Sequence, residues 1–265
     1  MLYMLIQGEM VMNRALKSKL VNNEFTLGSW ITIGSQDIAE IMAKANFDWL
    51  VVDLEHSSIS INIAANLIRV IDLCGVTPLV RLTSNDSNQI KRVMDAGAHG
   101  IIVPMVNTVE EAKHAVDSTR YAPKGIRGVG LARAQGYGAN FNEYLDWQKS
   151  DSIVIVQIEH VDAIDNLKDI LNTEGVDGFI IGPYDLSCSM GIPGKFDDTE
   201  FLKVLNHILD IGKKLSIPTG IHIVEPDINL LKESKKDGYN FIAYSVDIRM
   251  LDNVCRDAFI VKSKK

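Results

Sequence analysis

Four places in this sequence set polar or charged side chains at the end of an apolar run. The run Val154-Ile155-Val156-Gln157-Ile158-Glu159 ends on an amide and a carboxylate two residues apart. In a strand such residues share a face, so Gln157 and Glu159 point the same way. A pure core would put apolar groups there. A carboxylate buried without a partner costs several kcal/mol or changes its protonation, so something must compensate Glu159. About one strand–helix–strand unit later, Phe179-Ile180-Ile181 runs into Gly182-Pro183-Tyr184-Asp185, a second carboxylate beyond a Gly-Pro turn. Trp49-Leu50-Val51-Val52 runs into Asp53-Leu54-Glu55-His56, and Pro78-Leu79-Val80 into Arg81.

These side chains define a limited chemistry. Glu159 and Asp185 are oxygen donors with no Cys or His at ligand spacing nearby, which suits a hard divalent cation such as Mg²⁺ or Mn²⁺. Such a site leaves positions for water and a chelating substrate. The alternative is a buried ion pair between Glu159 and Arg81. His56 follows Asp53 and Glu55 at a strand end and is a candidate general base, against the plainer reading of a structural histidine. Arg81 can balance a carboxylate or a developing enolate. His222 and His99 are read as structural, and His160 as facing away from Glu159. A Schiff-base aldolase needs a desolvated lysine at a strand's C-terminal end. Lys91, Lys113, Lys168, Lys203 and Lys232 all fall on helices, so the reading favours a metal-stabilised enolate over an imine.

The elements that must position these groups alternate along the chain. Strands are expected over residues 27–33, 49–56, 78–82, 100–105, 153–159, 177–182, 218–223 and 241–245. Helices are expected between them, with Ser60, Asp86 and Thr108 as N-caps. Asp86 with Gln89 and Thr108 with Glu111 have capping-box spacing. Residues 121–137, rich in Gly and Arg, break this rhythm as a long loop with either a functional role or none. Eight repeats with no linker or composition shift suit a single-domain α/β fold, the (β/α)₈ TIM barrel, over residues 23–265. A doubly wound sheet is the alternative, but no Gly-x-Gly-x-x-Gly follows the first strand. Residues 1–22 form an N-terminal extension with a short helix over 14–22. Met12 is an alternative start that makes the first eleven residues a tail.

The 265 residues carry a formal net charge of −7 and no basic stripe, so nucleic acid is not an expected partner. No apolar run approaches the length of a membrane span. Cys74, Cys188 and Cys255 are far apart, have no metal-type spacing and have no neighbouring base. This disfavours a disulfide framework and a thiol nucleophile, and points to a reducing, cytoplasmic compartment.

Taken together, several segments resemble the metal-dependent, class II pyruvate aldolases of the HpcH/HpaI type. They are Trp49-Leu50-Val51-Val52-Asp53-Leu54-Glu55-His56, Val80-Arg81, Val103-Pro104-Met105-Val106 and Arg120-Tyr121-Ala122-Pro123-Lys124-Gly125-Ile126-Arg127-Gly128-Val129-Gly130. Gln157-Ile158-Glu159 and Ile181-Gly182-Pro183-Tyr184-Asp185-Leu186-Ser187 complete the set. The resemblance implies a (β/α)₈ barrel in a homo-oligomer, a hexamer whose last helix packs on a neighbour. It implies a divalent metal on Glu159 and Asp185, with Co²⁺ joining Mg²⁺ and Mn²⁺ as candidates. It makes His56 the acid/base residue and has Asp95 raise its basicity from across a subunit interface, where residue type alone suggests a solvated helix end. Arg81 would stabilise the enolate. Gln157 and the main chain of Gly182, Pro183, Tyr184 and Asp185 would hold the keto acid. One departure is Tyr184, bulky where many members of the family have a small residue.

The expected reaction is reversible cleavage of a 4-hydroxy-2-keto acid to pyruvate and an aldehyde. Two rivals use the same site: an oxaloacetate-type decarboxylase passing through the same enolate, and a non-catalytic keto-acid- or metal-binding member.

Overall fold

A computed structural model describes residues 15–263, and the expectations for the first eleven residues and Arg14 lie outside that range. The described chain opens with α1 (Ala15–Val21). Seven residues are too few for a free helix, so burial must hold it. Leu16 and Leu20 join the cluster of Trp49, Ile153 and Phe241 inside the barrel. Lys17 reaches the Ser152 carbonyl (3.2 Å) and Asp177, and Lys19 reaches Asp48 (2.6 Å). All three partners immediately precede strands, so α1 lies across the N-terminal mouth of the barrel.

Eight parallel strands close in sequence order: β1 (Thr26–Ile31), β2 (Trp49–Asp53), β3 (Thr77–Arg81), β4 (Gly100–Val103), β5 (Ile153–Ile158), β6 (Gly178–Ile181), β7 (Thr219–Ile223) and β8 (Phe241–Val246). This is the expected TIM barrel. The two-residue period sorts each strand into an inner and an outer row. Trp49 and Val51, Leu79, Ile153 and Ile155, Ile180, and Phe241 and Ala243 form the inner core. The alternate residues Leu50, Val52, Val80, Val154, Val156, Ile181 and Ile242 pack outward among the helices. Continued to the C-terminal end, the inner rows reach Asp53, Arg81, Gln157 with Glu159, and Gly182. One parity therefore fills the core and builds the pocket floor.

Gly28 shows how tight the interior is. A Cβ there would lie 2.1 Å from the Trp49 ring, which stacks on Phe241 at 4.2 Å between centroids. Gly28→Ala is expected to destabilise the fold by about 1–3 kcal/mol through overpacking, read as a lowered urea midpoint at unchanged slope. An unchanged midpoint would contradict this packing.

The outer layer contains α2 (Gln36–Ala43), α3 (Ile61–Leu73), α4 (Ser87–Asp95), α5 (Val109–Thr119), α6 (Phe141–Ser150), α7 (Asp162–Leu171), α8 (Pro183–Ser189), α9 (Thr199–Leu215), α10 (Ile228–Asp237) and α11 (Asp247–Ser263). Thr108 and Glu111 form the expected capping box. Asp86 caps α4, but Gln89 does not close a box: its side-chain oxygen accepts from the Thr83 amide at 2.8 Å instead.

The excursion between α5 and α6 is not a bare loop. Arg127 is buried and donates to Asp95, to the Tyr144 hydroxyl (2.7 Å) and to the Thr119 carbonyl (3.2 Å). Its guanidinium also lies over the Tyr121 ring at 4.7 Å. Arg133, in a 3₁₀ turn (Arg133–Gly138), pairs with Asp72. These ties fasten the excursion to the ends of α3 and α4, at the barrel face opposite the strands' C-terminal ends.

Candidate active site

The site begins with a cross-strand pair. The register sets Asp53 directly beside Arg81, and the two join side-on through one guanidinium edge: Nε to Oδ1 at 2.8 Å and Nη2 to Oδ2 at 2.7 Å. Glu55 adds a longer contact to Nη1 at 3.3 Å. Burial works against the Arg81 charge, but the hydrogen bonds and charge of Asp53, then Glu55, hold its pKa above the ordinary value. The guanidinium also lies 4.3 Å from the centre of the Trp30 ring, so its plane is held from two sides. Arg81 is therefore not the ion-pair partner of Glu159, and the alternative raised for that carboxylate fails.

Glu159, just past β5, is 3 % exposed. One carboxylate oxygen accepts from the Met105 amide at 2.7 Å and the other from the Gln157 amide nitrogen. Burial still drives its pKa up to about 7, with the charges of Glu55 and Asp185 adding to the effect. Burial likewise lifts Glu55 to about 7 in spite of Arg81. The Gln157 oxygen is buried without a hydrogen-bond partner. The result is a set of oxygen acceptors with more negative charge than the neighbouring donors offset.

Asp185 stands on the other side of this set. Gly182 and Pro183 open a helix where a turn was expected. Gly182 is the N-cap and Pro183 the first residue of α8, the position where a fixed φ and a missing N–H suit a helix start. Asp185 lies in its first turn, exposed, and near enough that its charge acts on Glu55 and Glu159. Gly182 sits so close that a Cβ would come within 2.7 Å of a Glu159 oxygen. A side chain there would displace the carboxylate.

A cavity of about 300 Å³ opens above this floor, lined in part by His56, Arg81, Gln157, Gly182, Pro183, Tyr184 and Asp185. The structure thus brings together every expected site residue except Asp95, with Glu159 in the floor beside Gln157. His56 is exposed on the loop after β2, its Nε2 3.7 Å from a Glu55 oxygen. Asp95, at the end of α4 on the opposite face, pairs with Arg127 at 2.5 Å.

Two wall residues were not foreseen. His222, read as structural, faces the cavity on the inner row of β7; burial and the Arg81 charge hold its pKa down at about 4, so the ring is neutral. It contacts the Ser245 carbonyl (3.2 Å) and the Trp30 ring, 5.2 Å away. Trp30 is the second, with a buried indole N–H that has no partner. The alternation of Gly220 and His222 with Ile221 and Ile223 was the available signal for His222.

A closed parallel barrel with a carboxylate-floored pocket at the C-terminal ends of its strands is the frame of a TIM-barrel enzyme. Residues 26–253 match the family model described as HpcH/HpaI aldolase/citrate lyase. The chain is 38 % identical over 236 residues to a hydroxypyruvate/pyruvate aldolase of Sagittula stellata, covering 89 % of this chain and 92 % of that one. It is 36 % identical over 242 residues to a 4-hydroxy-2-oxo-heptane-1,7-dioate aldolase of Salmonella paratyphi C, covering 91 % of each. A crystal structure of an HpcH/HpaI aldolase/citrate lyase family protein from Burkholderia cenocepacia superposes with a TM-score of 0.89 at 32 % identity, covering 94 % of this chain and all of that one. The chain belongs to the HpcH/HpaI aldolase/citrate lyase family and is a carbon–carbon lyase of the aldolase class.

Proposed function

We propose that this pocket reversibly cleaves a 4-hydroxy-2-keto acid into pyruvate and an aldehyde. The observation that carries the reading is the opposition of an Arg81 fixed by Asp53 to a surplus of acceptors at Glu159, Gln157 and Asp185. Glu159 and Asp185 would hold a divalent cation, Mg²⁺, Mn²⁺ or Co²⁺, since their all-oxygen character fits a hard ion. Among the described residues no three His, Cys, Asp or Glu side chains form a ready-made metal cluster, so water and the keto acid would complete the shell. When bound, the cation supplies Lewis-acid stabilisation of the enolate.

The chain's own residues do the rest. Gln157 and the main chain from Gly182 to Asp185 orient the keto acid. His56 takes the proton from the C4 hydroxyl, the C3–C4 bond breaks, and the electron pair enters the enolate beside Arg81. Return of that proton from His56 to C3 then gives pyruvate. Asp95 tunes His56 only from a second copy of the chain, because within one chain it lies at the other end of the barrel. Oxaloacetate decarboxylation is the rival use of the same enolate. Supplying oxaloacetate and a 4-hydroxy-2-keto acid in parallel separates the two: aldehyde release exceeding carbon dioxide release supports the aldolase, and the reverse sinks it.

The same reading makes the chain a homo-oligomer, a hexamer by likeness. Support comes from α11, which exposes Ile248, Leu251 and Val254 at helical spacing. A Leu251→Asp, Val254→Asp double variant is expected to run as a smaller species in light scattering. An unchanged mass would count against α11 as the contact. The sparse, widely spaced cysteines support a cytoplasmic setting. Among the described residues no helix is long and apolar enough to cross a membrane.

A further inference from the structure

A second cavity, of about 390 Å³, adjoins the first and shares Pro183, Tyr184, His222 and Val224 with it. It runs between α9 and α10 over β7. One face of α9 supplies Phe201, Leu205 and Leu209 at helical spacing, and Leu230 of α10 faces them. The Tyr184 ring stands between the two spaces, edge-on to Phe196 at 4.9 Å and itself half exposed. The charges are as telling as the apolar walls. Among the described residues Arg81 is the single Lys or Arg lining either cavity, and Asp53 and Glu55 occupy its guanidinium. The second cavity carries two carboxylates, Glu225 and Asp237, and Glu225 is already paired with Arg249 at 2.8 Å.

We propose that this second chamber takes the non-reacting tail of the aldehyde, with Tyr184 as the partition that sets its shape, so that the enzyme selects aldehydes with an uncharged hydrocarbon tail over those ending in a carboxylate. The inference rests on the aldolase reading. In the synthetic direction the enolate C3 bonds to the aldehyde carbon, the carbonyl oxygen takes a proton to become the C4 hydroxyl, and the tail lies along α9. A buried methylene is worth up to about fourfold in affinity. A distal carboxylate would lie near Glu225 and Asp237, like charges, with no lysine or arginine among the described residues lining the chamber to meet it.

The test is kcat/KM for addition of pyruvate to acetaldehyde, butanal, hexanal and succinic semialdehyde, on the wild type with Mg²⁺ or Mn²⁺. Exchange of pyruvate methyl protons without aldehyde is measured alongside. A rise of about two- to fourfold per methylene, with butanal ahead of succinic semialdehyde of equal chain length, supports the proposal. Leu205→Trp is expected to lower the hexanal-to-acetaldehyde ratio about tenfold by filling the chamber. Tyr184→Ala, a change at a half-exposed ring, is expected to raise kcat/KM for phenylacetaldehyde relative to acetaldehyde. Proton exchange with a flat chain-length series, or with succinic semialdehyde ahead of butanal, overturns the chamber's role and leaves the aldolase reading standing. Absence of exchange overturns that reading and the proposal with it.

Discussion

Arg81→Ala is expected to lower turnover of the keto acid by about 10²- to 10³-fold, the usual loss when one preorganised donor to a developing oxyanion is removed. It is also expected to destabilise the fold by about 3–5 kcal/mol, because the buried Asp53 carboxylate is left without its bidentate partner. Arg81→Lys keeps the charge but not the two-pronged fork, and should fall between the alanine variant and the wild type on both measures. Rates from a retro-aldol assay and midpoints from urea unfolding, taken on the same samples, check both arms. Turnover within about threefold of wild type would remove Arg81 from the chemistry. Cation affinity falling in step with turnover would make its role structural.

The second large effect concerns the acidic floor. Glu55 and Glu159 both titrate at about 7 in the folded chain, above the ordinary range near 4.3. The folded state therefore holds protons that the unfolded chain has released. Stability present below the unfolded pKa is lost as pH rises through about 7. A cation bound at Glu159 and Asp185 would offset that charge. Mg²⁺ or Mn²⁺ is thus expected to raise Tm more at pH 8 than at pH 5.5. Glu159→Gln should raise the cation-free Tm at pH 8 and abolish the cation's effect. Equal cation shifts at the two pH values, or a shift that survives in Glu159→Gln, would count against this electrostatic account.

Much of this was legible because a barrel strand repeats every two residues. The row Ile153, Ile155, Gln157, Glu159 reads as a core face that turns polar at its end, and the structure places it so. The same parity in Trp49, Val51, Asp53 and in Leu79, Arg81 predicts the pocket floor. Other features depend on relations the one-dimensional pattern carries weakly. Whether Arg81 meets Asp53 or Glu159 is decided by the register of β2 against β3. A Gly-Pro pair opens a turn or a helix with equal ease, and α8 is too short to show a period. His222 looked like an ordinary strand residue because its neighbours Ile221 and Ile223 are apolar. The Arg127 node joins residues from four separate segments, and nothing in the local sequence around Asp95 announces it.

The most direct test of the central claim is exchange of pyruvate methyl protons with deuterium in heavy water, followed by NMR. It is run with Mg²⁺ or Mn²⁺, again with chelator, and again with Arg81→Ala. Exchange is expected that depends on the cation and drops by at least about 10²-fold in the variant, since it reports the enolate with no aldehyde present. A folded wild-type protein that exchanges no protons with any divalent cation would contradict the enolate site itself.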